Sequence, residues 1–109
     1  MKPKKTILKR WIAALRSKKF KQGRNQLVQQ NIEDGSYEYC CLGVLCEVMR
    51  YHNIGGYYVI DGVRETCSLM DFEYITGLDM KEQNGLIRMN DTQKKGFVAI
   101  SNYLEKFIK

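Results

Sequence analysis

Tyr37-Glu38-Tyr39-Cys40-Cys41-Leu42-Gly43-Val44-Leu45-Cys46-Glu47-Val48-Met49 is the most apolar run in the chain and contains three of its four cysteines. Periodicity alone does not separate helix from strand here, but the length favours a helix from about Tyr39 to Tyr51. A helix that is apolar all round belongs in a protein interior. Glu47 and Arg50 are the exceptions, and they mark the side that meets solvent or a polar partner. Gly43 costs such a helix roughly 1 kcal/mol relative to alanine, which points to a close approach by another backbone. The rest of the chain is expected to pack around this element.

The cysteines invite a chemical reading, and their spacing argues against it. Cys40 and Cys41 fall in the first helical turn, where the dipole favours a thiolate. A thiolate nucleophile needs a neighbouring base, and the single histidine, His52, stands at the far end of the same helix. At about 1.5 Å per residue the two are roughly 18 Å apart. Zinc sites use paired ligands at spacings such as C-x-x-C, whereas here the cysteines are adjacent, then five apart, then isolated at Cys67. Neighbouring helix positions also diverge by about 100°. The thiols are therefore expected to be small buried hydrophobes, with no metal, no cofactor and no catalytic residue among them.

A length of 109 residues with 44% hydrophobic content supports one domain with a real core. The only proline is Pro3, and no stretch is rich in Gly, Ser or Pro, so no linker or repeat is expected. Charge is unevenly placed. Residues 1–24 carry ten Lys or Arg and no acid, while the remainder carries eight basic residues against all twelve acids. The chain thus reads as a single domain, 1–109, with a basic N-terminal helical arm, 1–24, packed on a mildly acidic body. Such an arm attracts polyanions; the competing reading is a solvated helix face that also docks on the body. No signal-peptide core or membrane-length apolar run is visible, so a cytoplasmic protein with reduced thiols and no membrane association is expected.

Outward from the central stretch, Ile7, Leu8, Trp11, Ile12 and Leu15 share one side of a helix from about Thr6, its N-cap, to Ser17, with Trp11 as core anchor. Phe20 to Asn25 reads as a loop and Gln26 to Gln30 as extended chain or a short helical turn. Gln22, Gly23, Arg24 and Asn25 offer donors of the kind that hold phosphate or ribose, although an ordinary connection would look the same. Asp34-Gly35-Ser36 is a turn. Beyond the helix, Gly55-Gly56 breaks the pattern, and Tyr57 to Ile60, Asp61-Gly62 and Val63 to Thr66 form a hairpin with a type I′ turn. Ser68 caps a short helix presenting Leu69, Phe72 and Ile75, which Gly77 ends. Met80 to Gly85 reads as a polar connection, Leu86 to Met89 as a strand or a helical turn, and Asn90-Asp91-Thr92 as a turn that caps the final helix. That last helix runs from about Lys95 to Phe107, with Phe97, Ile100, Leu104, Phe107 and Ile108 facing the core. The fold class is α+β, a small, mainly helical single domain with a buried central helix and a β-hairpin.

In order, Trp11-x-x-Ala14-Leu15-Arg16-Ser17, Phe20-x-Gln22-Gly23, Tyr39-Cys40-Cys41-Leu42-Gly43-Val44-Leu45-Cys46-Glu47, Gly77-Leu78 and Met89-Asn90-Asp91, followed by an amphipathic helix, resemble the motifs of a widespread family of small phage-encoded proteins that is mostly uncharacterised. Many relatives carry a longer insert after the cysteine helix, and many have Leu-Pro where this chain has Ser68-Leu69.

The resemblance implies a phage accessory protein, and such proteins often antagonise host defence by sequestering a nucleotide immune signal without cleaving it. Tyrosines to stack a base, cations for phosphates and Asn or Asp for ribose suit that role. The expected ligand-binding residues are Gln22, Gly23, Arg24 and Asn25 for phosphate and ribose, Tyr37 or Tyr39 for stacking, and Asn90 with Asp91 for polar recognition. For Asn90-Asp91 a helix cap is the competing role. The expected partners are a small nucleotide-type ligand and further copies of the chain in a homo-oligomer. The alternative is an inhibitor that binds nucleic acid or a host protein through Lys2 to Arg24, although no nucleic-acid-binding signature supports it. A third reading is a signal-degrading enzyme with Glu47 or Asp91 as base.

Overall fold

A computed structural model describes residues 3–25, 28–49, 52–54, 57–60, 63–65 and 69–109. The elements are α1 (Lys5–Arg16), β1 (Lys21–Gln22), β2 (Val28–Gln30), β3 (Tyr37–Tyr39), α2 (Cys41–Val48), β4 (His52–Ile54), β5 (Tyr57–Ile60), β6 (Val63–Glu65), α3 (Leu69–Thr76), α4 (Met80–Asp91) and α5 (Phe97–Leu104), with a closing 3₁₀ turn, Glu105–Phe107. The fold is a small α+β fold, mainly helical.

Helix α2 is the buried centre. Cys41 through Cys46 are all buried on it, as expected of a run with no polar face. Its bounds are narrower than its apolar length suggests. Tyr37-Glu38-Tyr39 is a strand, because its alternating aromatic and polar residues pair in parallel with β1 and antiparallel with β2. At the other end Met49 caps α2 through its N–H to the Leu45 and Glu47 carbonyls, short of the expected bound, and His52 already belongs to β4. Strand β4 pairs with β5, a contact that local pattern does not announce. The β5–β6 hairpin has the expected register, Ile60 opposite Val63; its Asp61-Gly62 turn and the Ser68 cap lie outside the described residues.

Helix α1 buries Leu8, Trp11, Ile12 and Leu15 against α2 and α5. Lys4, not Thr6, is its N-cap, without a side-chain bond. The Trp11 indole N–H donates to the Cys41 carbonyl at 2.8 Å in the core. Four cations of the basic segment are spent internally. Lys4 donates to the Tyr74 carbonyl, Arg10 to the Val48 carbonyl, Lys21 pairs with Glu38 at 3.2 Å, and Arg16 contacts Ser101, Asn102 and Glu105.

The largest correction concerns Met80 to Asp91, which is one continuous helix. Asp79 and Glu82 form a reciprocal capping box at its start, a signal present in the sequence as Asp-x-x-Glu. The helix is hard to see in the sequence because its buried positions are Gln83, Leu86 and Asn90, two polar residues in three. Gly77 ends α3 as expected, in the left-handed region at φ 77°. Trp11→Phe should cost about 1–2 kcal/mol, since it removes the indole hydrogen bond to the buried Cys41 carbonyl and some core volume, and Asp79→Ala about 1 kcal/mol; urea unfolding of both variants measures this.

Candidate functional site

The residues expected to bind ligand divide into those the fold brings together and those it does not. Asn90 is fully buried in the last turn of α4. Its Oδ1 accepts from Gln22 Nε2 at 2.8 Å and from the Cys41 N–H at 3.2 Å. Its Nδ2 donates to the Gly23 carbonyl at 2.9 Å and to Asp91 Oδ1 at 2.7 Å. That exhausts the four hydrogen bonds of a carboxamide. Asp91 Oδ1 also accepts the Asn25 N–H at 2.9 Å, and Gln22 Nε2 also reaches the Lys95 carbonyl at 2.8 Å. Gln22, Gly23, Asn25, Asn90 and Asp91 therefore form one network in which they satisfy each other. Asn90 does cap a helix, but the helix is α2, far earlier in the chain, and not α5.

Gly23 is buried against β3, with its N–H on the Tyr39 carbonyl at 2.7 Å. A Cβ there would stand 2.9 Å from Glu38 Cβ and 3.3 Å from its carbonyl carbon, so the glycine serves this close approach. Arg24 is half-buried, and its Nε has no hydrogen-bond partner among the described residues. Tyr39 is half-buried and packs edge-on against Phe20 at 5.3 Å. Tyr37, on the same face of β3 two residues away, is exposed.

A second feature lies on another side of α4. A groove of about 820 Å³ runs between α4 and the α5–3₁₀ segment, lined by Asp79, Lys81, Glu82, Gly85, Arg88, Met89, Gln93, Tyr103, Lys106 and Phe107. Tyr103 and Phe107 meet edge-on at 5.7 Å, and Lys106 Nζ sits 3.9 Å from the Tyr103 ring centre, a cation–π contact. Asp79 and Glu82 are bound to each other's backbone N–H groups. Lys81 and Arg88 make no ion pair among the described residues. Gly85 stands mid-helix, where glycine costs roughly 1 kcal/mol relative to alanine, yet a Cβ there would find only the Tyr103 hydroxyl, at 4.0 Å. Packing does not demand this glycine; it keeps the groove wall low. None of these residues stands out in the sequence as a ligand contact, and the one available signal is this unexplained glycine.

The thiols are placed for packing. Cys40, Cys41 and Cys46 are buried and form no disulfide, and Cys40 Sγ accepts the Gly43 N–H at the start of α2. Burial pushes the Cys40 thiol from an ordinary value near 9 up to about 11, against the opposing pull of the Gly43 N–H, and pushes Cys41 well up. Among the described residues no three His, Cys, Asp or Glu side chains converge to hold a metal ion, and no helix is long and apolar enough to cross a membrane.

A family described as a domain of unknown function, DUF8296, matches residues 1–59, more than half of the chain. The chain belongs to this family. The matched segment includes α1, the Gln22-Gly23 loop and the cysteine helix, whereas Asn90 and the groove lie beyond it. No curated protein and no solved structure matches the chain.

Asn90→Asp removes both donors of the carboxamide and sets a second carboxylate against Asp91, so it should destabilise by about 3 kcal/mol at neutral pH. Urea unfolding of this variant beside the wild type measures the loss. Cys40, Cys41 and Cys46 should resist iodoacetamide in the native protein. Because the folded pKa values of Cys40 and Cys41 are raised, the stability these two contribute is present below the ordinary thiol value and is lost as pH rises through the folded values, which for Cys40 is about 11; peptide mapping after labelling at rising pH follows both effects.

Proposed function

We propose that this protein is a phage-encoded anti-defence protein that binds a nucleotide-type immune signal and sequesters it without cleaving it, and that the ligand lies in the α4–α5 groove. The groove's lining carries this reading. Tyr103 and Phe107 offer aromatic surface for a base, the cations Arg88, Lys81 and Lys106 outnumber the carboxylates Asp79 and Glu82 and suit phosphate, and Gly85 leaves a bare stretch of helix for the approach of a flat group. The buried, protonated thiols supply no ready nucleophile. The Gln22–Asn25 and Asn90-Asp91 cluster contributes indirectly, since it fixes the end of α4 and so the position of Arg88 and Met89. Of the ligand contacts expected from sequence, Arg24 and Tyr37 are the two whose polar or aromatic groups are left over for a ligand.

A second reading has its own observation. The side chains of Lys5, Lys9, Lys18 and Lys19 are exposed and have no partner among the described residues, which leaves α1 and the turn after it available to a nucleic acid or an acidic host protein. Salt separates the two: polyanion binding through these lysines falls steeply with ionic strength, whereas stacking in a groove weakens far less.

Thermal shift against ADP-ribose, ATP and cyclic di-AMP tests the main reading, because a ligand at a hundred times its dissociation constant adds about 2.7 kcal/mol. Gly85→Leu should keep or raise the melting temperature, through better helix propensity, while abolishing the shift. Tyr103→Ala and Arg88→Glu should each weaken binding at least tenfold, and recovery of intact nucleotide from the heated complex is expected. A shift that survives Gly85→Leu and Arg88→Glu unchanged would place the ligand elsewhere.

A further inference from the structure

The loop from Asn31 to Ser36 joins β2 to β3 and is held from within. Asn31 N–H donates to the Ser36 carbonyl at 2.7 Å, Gly35 N–H to the Asn31 carbonyl at 2.8 Å, and Gln30 Nε2 to the Gly35 carbonyl at 3.1 Å. Asn31 Oδ1 accepts the Glu33 N–H, and Asp34 Oδ1 accepts both the N–H and the hydroxyl of Ser36. Ser36 also holds the Asp34 carboxyl below its ordinary range. At the head of this rigid turn Ile32 is 99% exposed, followed directly by Glu33 and Asp34. An apolar residue shown to water on a preorganised turn costs little entropy to dock, and burying it is favourable in proportion to the apolar area removed from water.

The α4–α5 groove is complementary to that tip. Its apolar surface comes from Met89, Tyr103 and Phe107, and its three cations, Lys81, Arg88 and Lys106, outnumber its two carboxylates, Asp79 and Glu82, which are held on each other's backbone N–H groups; Lys106 Nζ lies over both rings, at the junction of the apolar and charged parts. Ile32 lines no part of the groove within its own chain, where it stands free. We infer that the Ile32-Glu33-Asp34 tip of one copy inserts into the α4–α5 groove of a second copy, with the isoleucine against Met89 and the edges of the aromatic pair and the two carboxylates against the cations, Lys106 on its rings included. The contact is small by the standards of stable interfaces, so the association is weak and concentration-dependent. The tip and a groove-bound nucleotide exclude one another, and that consequence alone rests on the function proposed above.

Sedimentation velocity at rising concentration, up to about 1 mM, tests the inference. The wild-type chain should self-associate. Ile32→Asp, at a position where folding buries nothing, should weaken association at least tenfold with an unchanged melting temperature. Arg88→Glu should do the same, and mixing Glu33→Lys protein with Arg88→Glu protein should restore association that neither shows alone. A wild-type chain that stays monomeric throughout overturns the proposal, as does association that survives Ile32→Asp or a mixture that fails to recover it. ADP-ribose added to the wild type should dissolve the association. If it does not, while the mutant pattern holds, the nucleotide reading fails and the tip-in-groove contact stands; Ile32→Asp protein that keeps its nucleotide shift separates the opposite case.

Discussion

A buried helix must find partners inside the protein for the N–H groups of its first turn, because water cannot reach them. Helix α2 is buried from Cys41 to Cys46, and two side chains answer for its start: the Cys40 thiol, on the Gly43 N–H, and the Asn90 carboxamide, on the Cys41 N–H. The remaining three bonds of that carboxamide tie in Gln22, Gly23 and Asp91. The central helix, the β1 edge of the first sheet and the end of α4 are thus fixed by a single side chain. The Gln22 bond to the Lys95 carbonyl extends the same set of constraints to the approach to α5.

Helix α4 consequently works on two sides. Gln83, Leu86 and Asn90 face the interior, while Lys81, Gly85, Arg88 and Met89 form one wall of the groove. The rigidity that Asn90 imposes on the interior side is what gives the groove wall a defined shape. Gln83 is the imperfect element of the interior face: its Nε2 meets the Leu78 carbonyl at 2.9 Å, but its Oε1 has no partner among the described residues.

Where the sequence is legible, one physical signal dominates. The apolar stripe of α1, the Tyr57 to Glu65 hairpin and the glycine after α3 each follow from a local pattern with a single solution, and α2 follows from the length of its apolar run. Tyr39 reads as the start of the helix because the partners of its strand, Lys21-Gln22 and Val28 to Gln30, are short segments whose pairing no local pattern announces. Helix α4 escapes because polar residues occupy its interior face. Gln22, Gly23, Asn25, Asn90 and Asp91 are visible in the sequence as polar residues fit to hold a ligand. That their donors and acceptors are turned on each other emerges only in three dimensions, because sequence shows which groups exist and not where their hydrogen bonds go. The groove is invisible for a related reason: Arg88, Tyr103 and Lys106 come together only when two helices pack.

The Arg16 cluster has a bearing on how the chain reaches this state. Arg16 meets Ser101 at 2.8 Å, Asn102 at 2.8 Å and Glu105 at 2.6 Å, the first of these 85 positions away, and α1 packs more extensively on α5 than on any other element. The first of these helices to be synthesised therefore has its apolar stripe covered by the last. During translation the part of the Leu8, Trp11, Ile12 and Leu15 stripe that faces α5 is left uncovered until α5 has emerged, even where α2 already covers the rest. Closing so long a loop early is entropically costly and slow. The exposed Lys5 and Lys9 of the first helix set like charges beside that stripe, and like charges on two chains repel.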